Sequence, residues 1–172
     1  MNMTNHVAFL RAINVGGKTL LSMKDLSDLC LGIGLKNVRT YIQSGNVLFT
    51  SPIAPAILKT KLEKALLRET GKDIGVIIRN ARELAAIVAH NPFPKAQPSQ
   101  VGVLLLAGEI PKTFIWEVDN NGPEEIRPSR TEVYIHYPNG VGQTKLKLPK
   151  SVAPGTVRNI NTIGKLAELA AI

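Results

Sequence analysis

The feature that most constrains this chain is the order of elements in its first ~80 residues: strand, helix, strand, strand, helix, strand. Residues 6–13 are mostly apolar and β-prone and stop at Asn14-Val15-Gly16-Gly17, which reads as a buried strand and a turn. Ser22 heads Met23-Lys24-Asp25, an N-cap with an acid three residues on. Met23, Leu26, Leu29, Cys30 and Ile33 follow at helical spacing, and Gly34 is the expected stop. Val38, Thr40 and Ile42 alternate with polar neighbours, and Ser44-Gly45 separates them from a second strand over 46–50, so a hairpin is expected. Pro52 and Pro55 open another helix with the apolar stripe Ile57, Leu58, Leu62, Ala65 and Leu66, and Gly71 closes it. A further apolar strand covers 74–78. Right-handed crossovers fold this order into a four-stranded sheet with two helices on one face, the ferredoxin-like arrangement of an α+β protein.

The second half is less regular. Asn80-Ala81-Arg82-Glu83 is a capping pattern for a helix that turns Leu84, Ile87 and Val88 inward. Asn91-Pro92-Phe93-Pro94 ends that helix, and a polar, proline-containing connector runs to Gln100. A strongly apolar strand is expected over 101–107, a short helix over 111–118, and two short strands over 124–128 and 132–137. Residues 138–154 are rich in Gly, Lys and Pro and read as a basic loop. Asn159 or Asn161 caps a last helix with Ile163, Leu166, Ala167 and Ala170 on its apolar side. The chain is therefore divided into a ferredoxin-like subdomain (1–79), a helix and connector (80–100), and a second α+β subdomain (101–172). This order suits a worn copy of the first half, but no sequence repeat stands out.

The formal net charge of +8 turns attention to anionic partners: nucleic acid or a phosphorylated small molecule. Simple solubility accounts for such a charge equally well. One cysteine excludes an intramolecular disulfide. The first residues lack the basic and apolar regions of a signal peptide, and no apolar run reaches the ~18 residues of a membrane span. A cytoplasmic protein without membrane association is expected.

Three segments hold the candidate ligand-binding residues. The first runs from Arg11 through Asn14, Gly16, Gly17 and Lys18 toward the helix capped at Ser22. Two glycines free the backbone to present N–H groups, and Arg11, Lys18 and the helix dipole add positive potential, which suits a phosphate or carboxylate. The spacing is neither G-x-x-x-x-G-K-[ST] nor G-x-G-x-x-G, and a glycine-requiring turn explains it equally well. The second is the hairpin with Gln43, Ser44 and Asn46, for which turn chemistry is the stronger explanation. The third joins Tyr134, Lys145, Arg158 and Asn159 across a stretch with seven Lys/Arg against two acids between 127 and 168. A solvated charged face is the commoner meaning of such a run.

Other chemistries lack their residues. His6, His90 and His136 are far apart, and no zinc spacing or G-x-S-x-G elbow occurs, so neither metal nor cofactor is expected. Cys30 falls on a helical apolar stripe and reads as core. Asn46-Val47-Leu48-Phe49 carries no RNP1-like aromatic pattern, so RNA binding in the manner of an RNA-recognition motif is not expected.

Taken in order, 11–18, 40–46, Asn91-Pro92-Phe93, 134–140, Thr144-Lys145-Leu146 and 156–159 resemble the bacterial domain of unknown function 1697 family across nearly the whole chain. The resemblance implies an α+β, ferredoxin-like fold and no established activity. This chain departs from the family pattern at three places. Ala12 stands where members usually have glycine, Thr144 where they have serine, and Ile160 where they have tryptophan after Arg-Asn. A ligand-stacking tryptophan would be lost at Ile160, whereas a core-filling one is replaceable.

Three functional classes remain. The first is a module that binds an anionic ligand between the glycine loop and the basic loop. The second is an enzyme of unassigned reaction using Arg11, Asn14 and Lys145. The third is a structural or protein-interaction domain whose polar residues fix turns.

Overall fold

The computed structural model describes residues 2–13, 20–42 and 45–172. The expected order is present at the start: β1 (Thr4–Leu10), α1 (Met23–Gly32), β2 (Lys36–Tyr41), β3 (Asn46–Ser51), α2 (Pro55–Thr70) and β4 (Val76–Asn80). These strands form one antiparallel sheet in the order β2-β3-β1-β4, the ferredoxin-like arrangement. β1 is central and its Val7, Ala8, Phe9 and Leu10 are all buried, which is why it reads as an unbroken apolar run.

Local chemistry fixes the helix ends. The Ser22 side chain accepts from Asp25 N at 3.0 Å and starts α1. Pro55 occupies the first turn of α2, where no N–H is needed, and Gly71 closes it at φ 70°. Leu26 and Cys30 of α1 meet Leu58, Leu62 and Leu66 of α2 over Ala8, Val47, Phe49 and Ile78 of the sheet. Burial pushes the Cys30 thiol up to about 12, so it stays protonated core.

α3 (Ala81–Ala89) follows β4 at once. Asn80 Oδ1 accepts from Glu83 N at 2.9 Å, and Glu83 Oε2 accepts from Asn80 N at 2.8 Å, a complete capping box. Beyond it come β5 (Val101–Leu105), α4 (Phe114–Glu117), β6 (Glu125–Pro128), β7 (Glu132–His136), β8 (Thr156–Asn159) and α5 (Ile160–Ala170). Their antiparallel sheet has the order β6-β7-β5-β8. By position this is second, third, first, fourth, the order of the first sheet. Where the first unit has α2, the second has the segment between β7 and β8, with short 3-10 turns at Val141–Gln143 and Lys150–Val152. Leu104, Ile110, Phe114, Ile126, Val133, Ile135 and Val152 form its core, with Leu146 and Leu148 packed on it.

By contacts, Met1–Ala85 group with Leu166–Ile172, and Ala86–Lys165 form the other unit. Several boundaries move from expectation. β1 stops at Leu10, because Ala12 takes φ 52° and breaks the extended backbone. Ile42, at φ 51°, lies past the end of β2. Ile57 is exposed rather than in the stripe, since it stands ~100° round the helix from Leu58. Val88 is exposed for the same reason beside the inward Ile87.

Candidate functional site

At one end of the first sheet, Leu10 N donates to Gly45 O at 2.8 Å and Arg11 N donates to Gly75 O at 2.9 Å. A Cβ added to Gly45 would stand 2.7 Å from Ile13 Cγ2, so only glycine fits there. Gly45, before β3, therefore lies beside the end of β1, a choice the sequence leaves open. Arg11 is exposed at this end. Asn46 is fully buried, and its Nδ2 donates to Tyr41 O at 3.0 Å across the hairpin. Asn14, Gly16, Gly17, Lys18, Gln43 and Ser44 lie outside the described residues.

In the second unit, most candidate polar groups have internal partners. Tyr134 is buried, and its hydroxyl donates to Ile87 O at 2.7 Å. Burial, with the Glu132 carboxylate adding to it, pushes that phenol up to about 12. Arg158 is buried too and donates to Thr156 Oγ1 at 2.6 Å and Val157 O at 3.1 Å. Burial brings its guanidinium down to about 10, still cationic at neutral pH. Asn159 donates to Ser99 O and accepts from Asn161 N, so it is the residue that starts α5. Ile160, where the resemblance places a tryptophan, is buried.

Lys145 is placed differently. Asp119 and Lys147 exchange backbone hydrogen bonds, Lys147 N to Asp119 O at 3.1 Å and Asp119 N to Lys147 O at 3.3 Å. This bridge holds the basic loop extended, so its side chains alternate. Leu146 and Leu148 turn to the core, and Lys145 and Lys147 turn outward. The two lysines line a cleft of about 600 Å³ with Asp119, Asn121, Glu124 and Gln143. Among the described residues, neither ammonium has a carboxylate at ion-pairing distance.

The cleft's acids are engaged locally. Asp119 Oδ1 accepts from Asn121 Nδ2 at 3.0 Å. Glu124 is buried, and its Oε1 accepts from the Thr144 hydroxyl at 2.6 Å. Its Oε2 is folded so closely over Gly122 that a Cβ there would collide with it, and this oxygen has no hydrogen-bond partner among the described residues. Thr144, where the resemblance places a serine, thus orients a carboxylate. Lys147, Asn121 and Glu124 are absent from the sequence-derived candidates. The alternation Lys145-Leu146-Lys147-Leu148 is the signal that points to Lys147, while Glu124 has no local signal. Among the described residues, no group of three or more His, Cys, Asp or Glu side chains is placed to hold a metal, and no helix is long and apolar enough to cross a membrane.

These features define an α+β protein with two four-stranded antiparallel sheets, the first ferredoxin-like. A family model described as protein of unknown function (DUF1697) matches residues 3–134, and the chain belongs to that family. The fold is similar to that of the conserved bacterial protein SP0830 from Streptococcus pneumoniae, with a TM-score of 0.77 at 19% sequence identity. That match covers 98% of this chain and 99% of the other. No curated protein matches the chain.

Proposed function

We propose that this protein binds an anionic ligand, a phosphorylated small molecule or nucleic acid, and that Lys145 and Lys147 make the principal cationic contacts. The observation that carries this reading is the extended backbone at 145–148. It sends two apolar side chains into the core and two lysines into a cleft, where neither has an ion-pair partner among the described residues. Side chains held by a packed backbone lose less freedom on binding than lysines on a loose tail. The excess positive charge of the chain adds long-range attraction for the same class of ligand.

The other reading, a domain whose polar residues fix turns, is favoured at Asn46, Tyr134 and Asn159, where each side chain has a structural partner. It does not account for Lys145 and Lys147. Binding of inorganic polyphosphate at low salt tests the proposal. The double variant Lys145→Ala/Lys147→Ala should weaken it about tenfold or more, with thermal stability unchanged because both side chains are exposed. Equal affinity of variant and wild type would reject these lysines as the contact.

A further inference from the structure

The only tryptophan of the chain, Trp116, is 87% exposed on the surface of the second unit. Such a side chain is costly to leave in water. The backbone that carries it is nevertheless fixed. Phe114, two residues earlier, is buried in the core and anchors α4. Trp116 N donates to Thr113 O at 3.0 Å. Glu117 accepts from the Thr113 hydroxyl at 2.6 Å and from the Ser151 hydroxyl at 2.7 Å, tying α4 to the end of the basic loop.

Cationic side chains stand on the segments that adjoin α4. Lys112 is exposed in the turn that leads into α4, a turn closed by the bonds from Phe114 N to Pro111 O and Trp116 N to Thr113 O. Lys150 is exposed next to Ser151, the residue bound to Glu117. The Asp119–Lys147 bridge carries the cleft lysines to the C-terminal side of α4. Residues 111–119 and 144–151 together hold four lysines against two carboxylates, Glu117 and Asp119. Among the described residues, none of these lysines is ion-paired.

We infer that Trp116 is a stacking platform for a base of single-stranded nucleic acid, with Lys112, Lys150 and the cleft lysines holding the phosphates on either side. An exposed aromatic face between cationic side chains is what a single strand requires, since bases stack and phosphates pair with lysine. A membrane surface fits less well. α4 has four residues, its Phe114 points to the core, and only Ile115 adds exposed apolar surface beside Trp116, too little for an inserting amphipathic face. The inference rests on the anion-binding reading and names the ligand class.

One titration series tests both levels. Because Trp116 is the only tryptophan, its emission reports on this surface alone. A fifteen-nucleotide single-stranded oligonucleotide should quench it at low salt. By anisotropy of the labelled oligonucleotide, Trp116→Ala should bind roughly tenfold more weakly, while its affinity for inorganic polyphosphate stays that of the wild type. An oligonucleotide that binds without quenching, or that binds Trp116→Ala as tightly as wild type, overturns the stacking platform. If polyphosphate then still loses affinity in Lys145→Ala/Lys147→Ala, the anion reading survives. Failure of both probes to bind wild type rejects both. An emission blue shift on phosphatidylglycerol vesicles, with no response to the oligonucleotide, overturns the inference in favour of a membrane surface.

Discussion

A single residue shows how this sequence departs from its family at a cost. Ala12 adopts φ 52°, the left-handed region that glycine enters freely and alanine does not. The family's usual glycine at this position therefore has a backbone explanation, independent of any ligand. The strain is on the order of 1–2 kcal/mol, and the greater freedom of glycine in the unfolded chain returns part of it. Ala12→Gly should raise stability by about 0.5–1 kcal/mol. Urea denaturation checks this; an unchanged or lower midpoint would mean that the turn relaxes around alanine without strain.

At the scale of elements, the helix ends are set by reciprocal side-chain bonds. In α3 both halves of the capping box are made, between Asn80 and Glu83. Asn80→Ala should cost about 1 kcal/mol of stability, measurable as a lower urea midpoint; a loss below ~0.3 kcal/mol would show that water replaces the cap. Such ends were legible in the sequence because caps act over three or four residues: Ser22, Pro55, Gly71 and Asn80 each stand where the reading puts a terminus. Inward faces were legible except at their margins, where Ile57 and Val88 are apolar but one position off the stripe. The candidate site was much less legible. Asn46 and Tyr134 have the chemistry of ligand contacts, but their partners, Tyr41 O and Ile87 O, are supplied by strand pairing and tertiary packing. Glu124 enters the cleft only because the turn at Gly122 folds it back toward Thr144, twenty residues away in sequence.

Whole-molecule stability should respond to one buried histidine. His6 is buried on β1 against the Phe49 ring, and among the described residues neither ring nitrogen meets the geometry of a hydrogen bond. Burial lowers its pKa below the ordinary 6.5, outweighing the opposite pulls of the Ser51 backbone and the Glu83 carboxylate. The unfolded chain then takes up the proton first as pH falls. Stability is full above about 6.5 and is lost progressively below it, down to the folded-state pKa. Thermal midpoints from pH 8 to pH 5 should fall, and His6→Phe should flatten the slope between pH 7 and pH 5. An equally steep fall in the variant would assign the dependence to other groups.

The two sheets share one strand order, and their last strands end alike. Arg79-Asn80 closes β4 and Arg158-Asn159 closes β8, each arginine buried and donating to the carbonyl of the residue before it, each asparagine starting the next helix. The pair was hard to see in the sequence because α2 has no helical counterpart between β7 and β8. The molecule thus contains its own replicate. Any question about how this unit closes can be put twice in one chain, under identical solvent and temperature. Comparing an alteration at Asn80 with the same one at Asn159 separates what the architecture demands from what the basic loop has added.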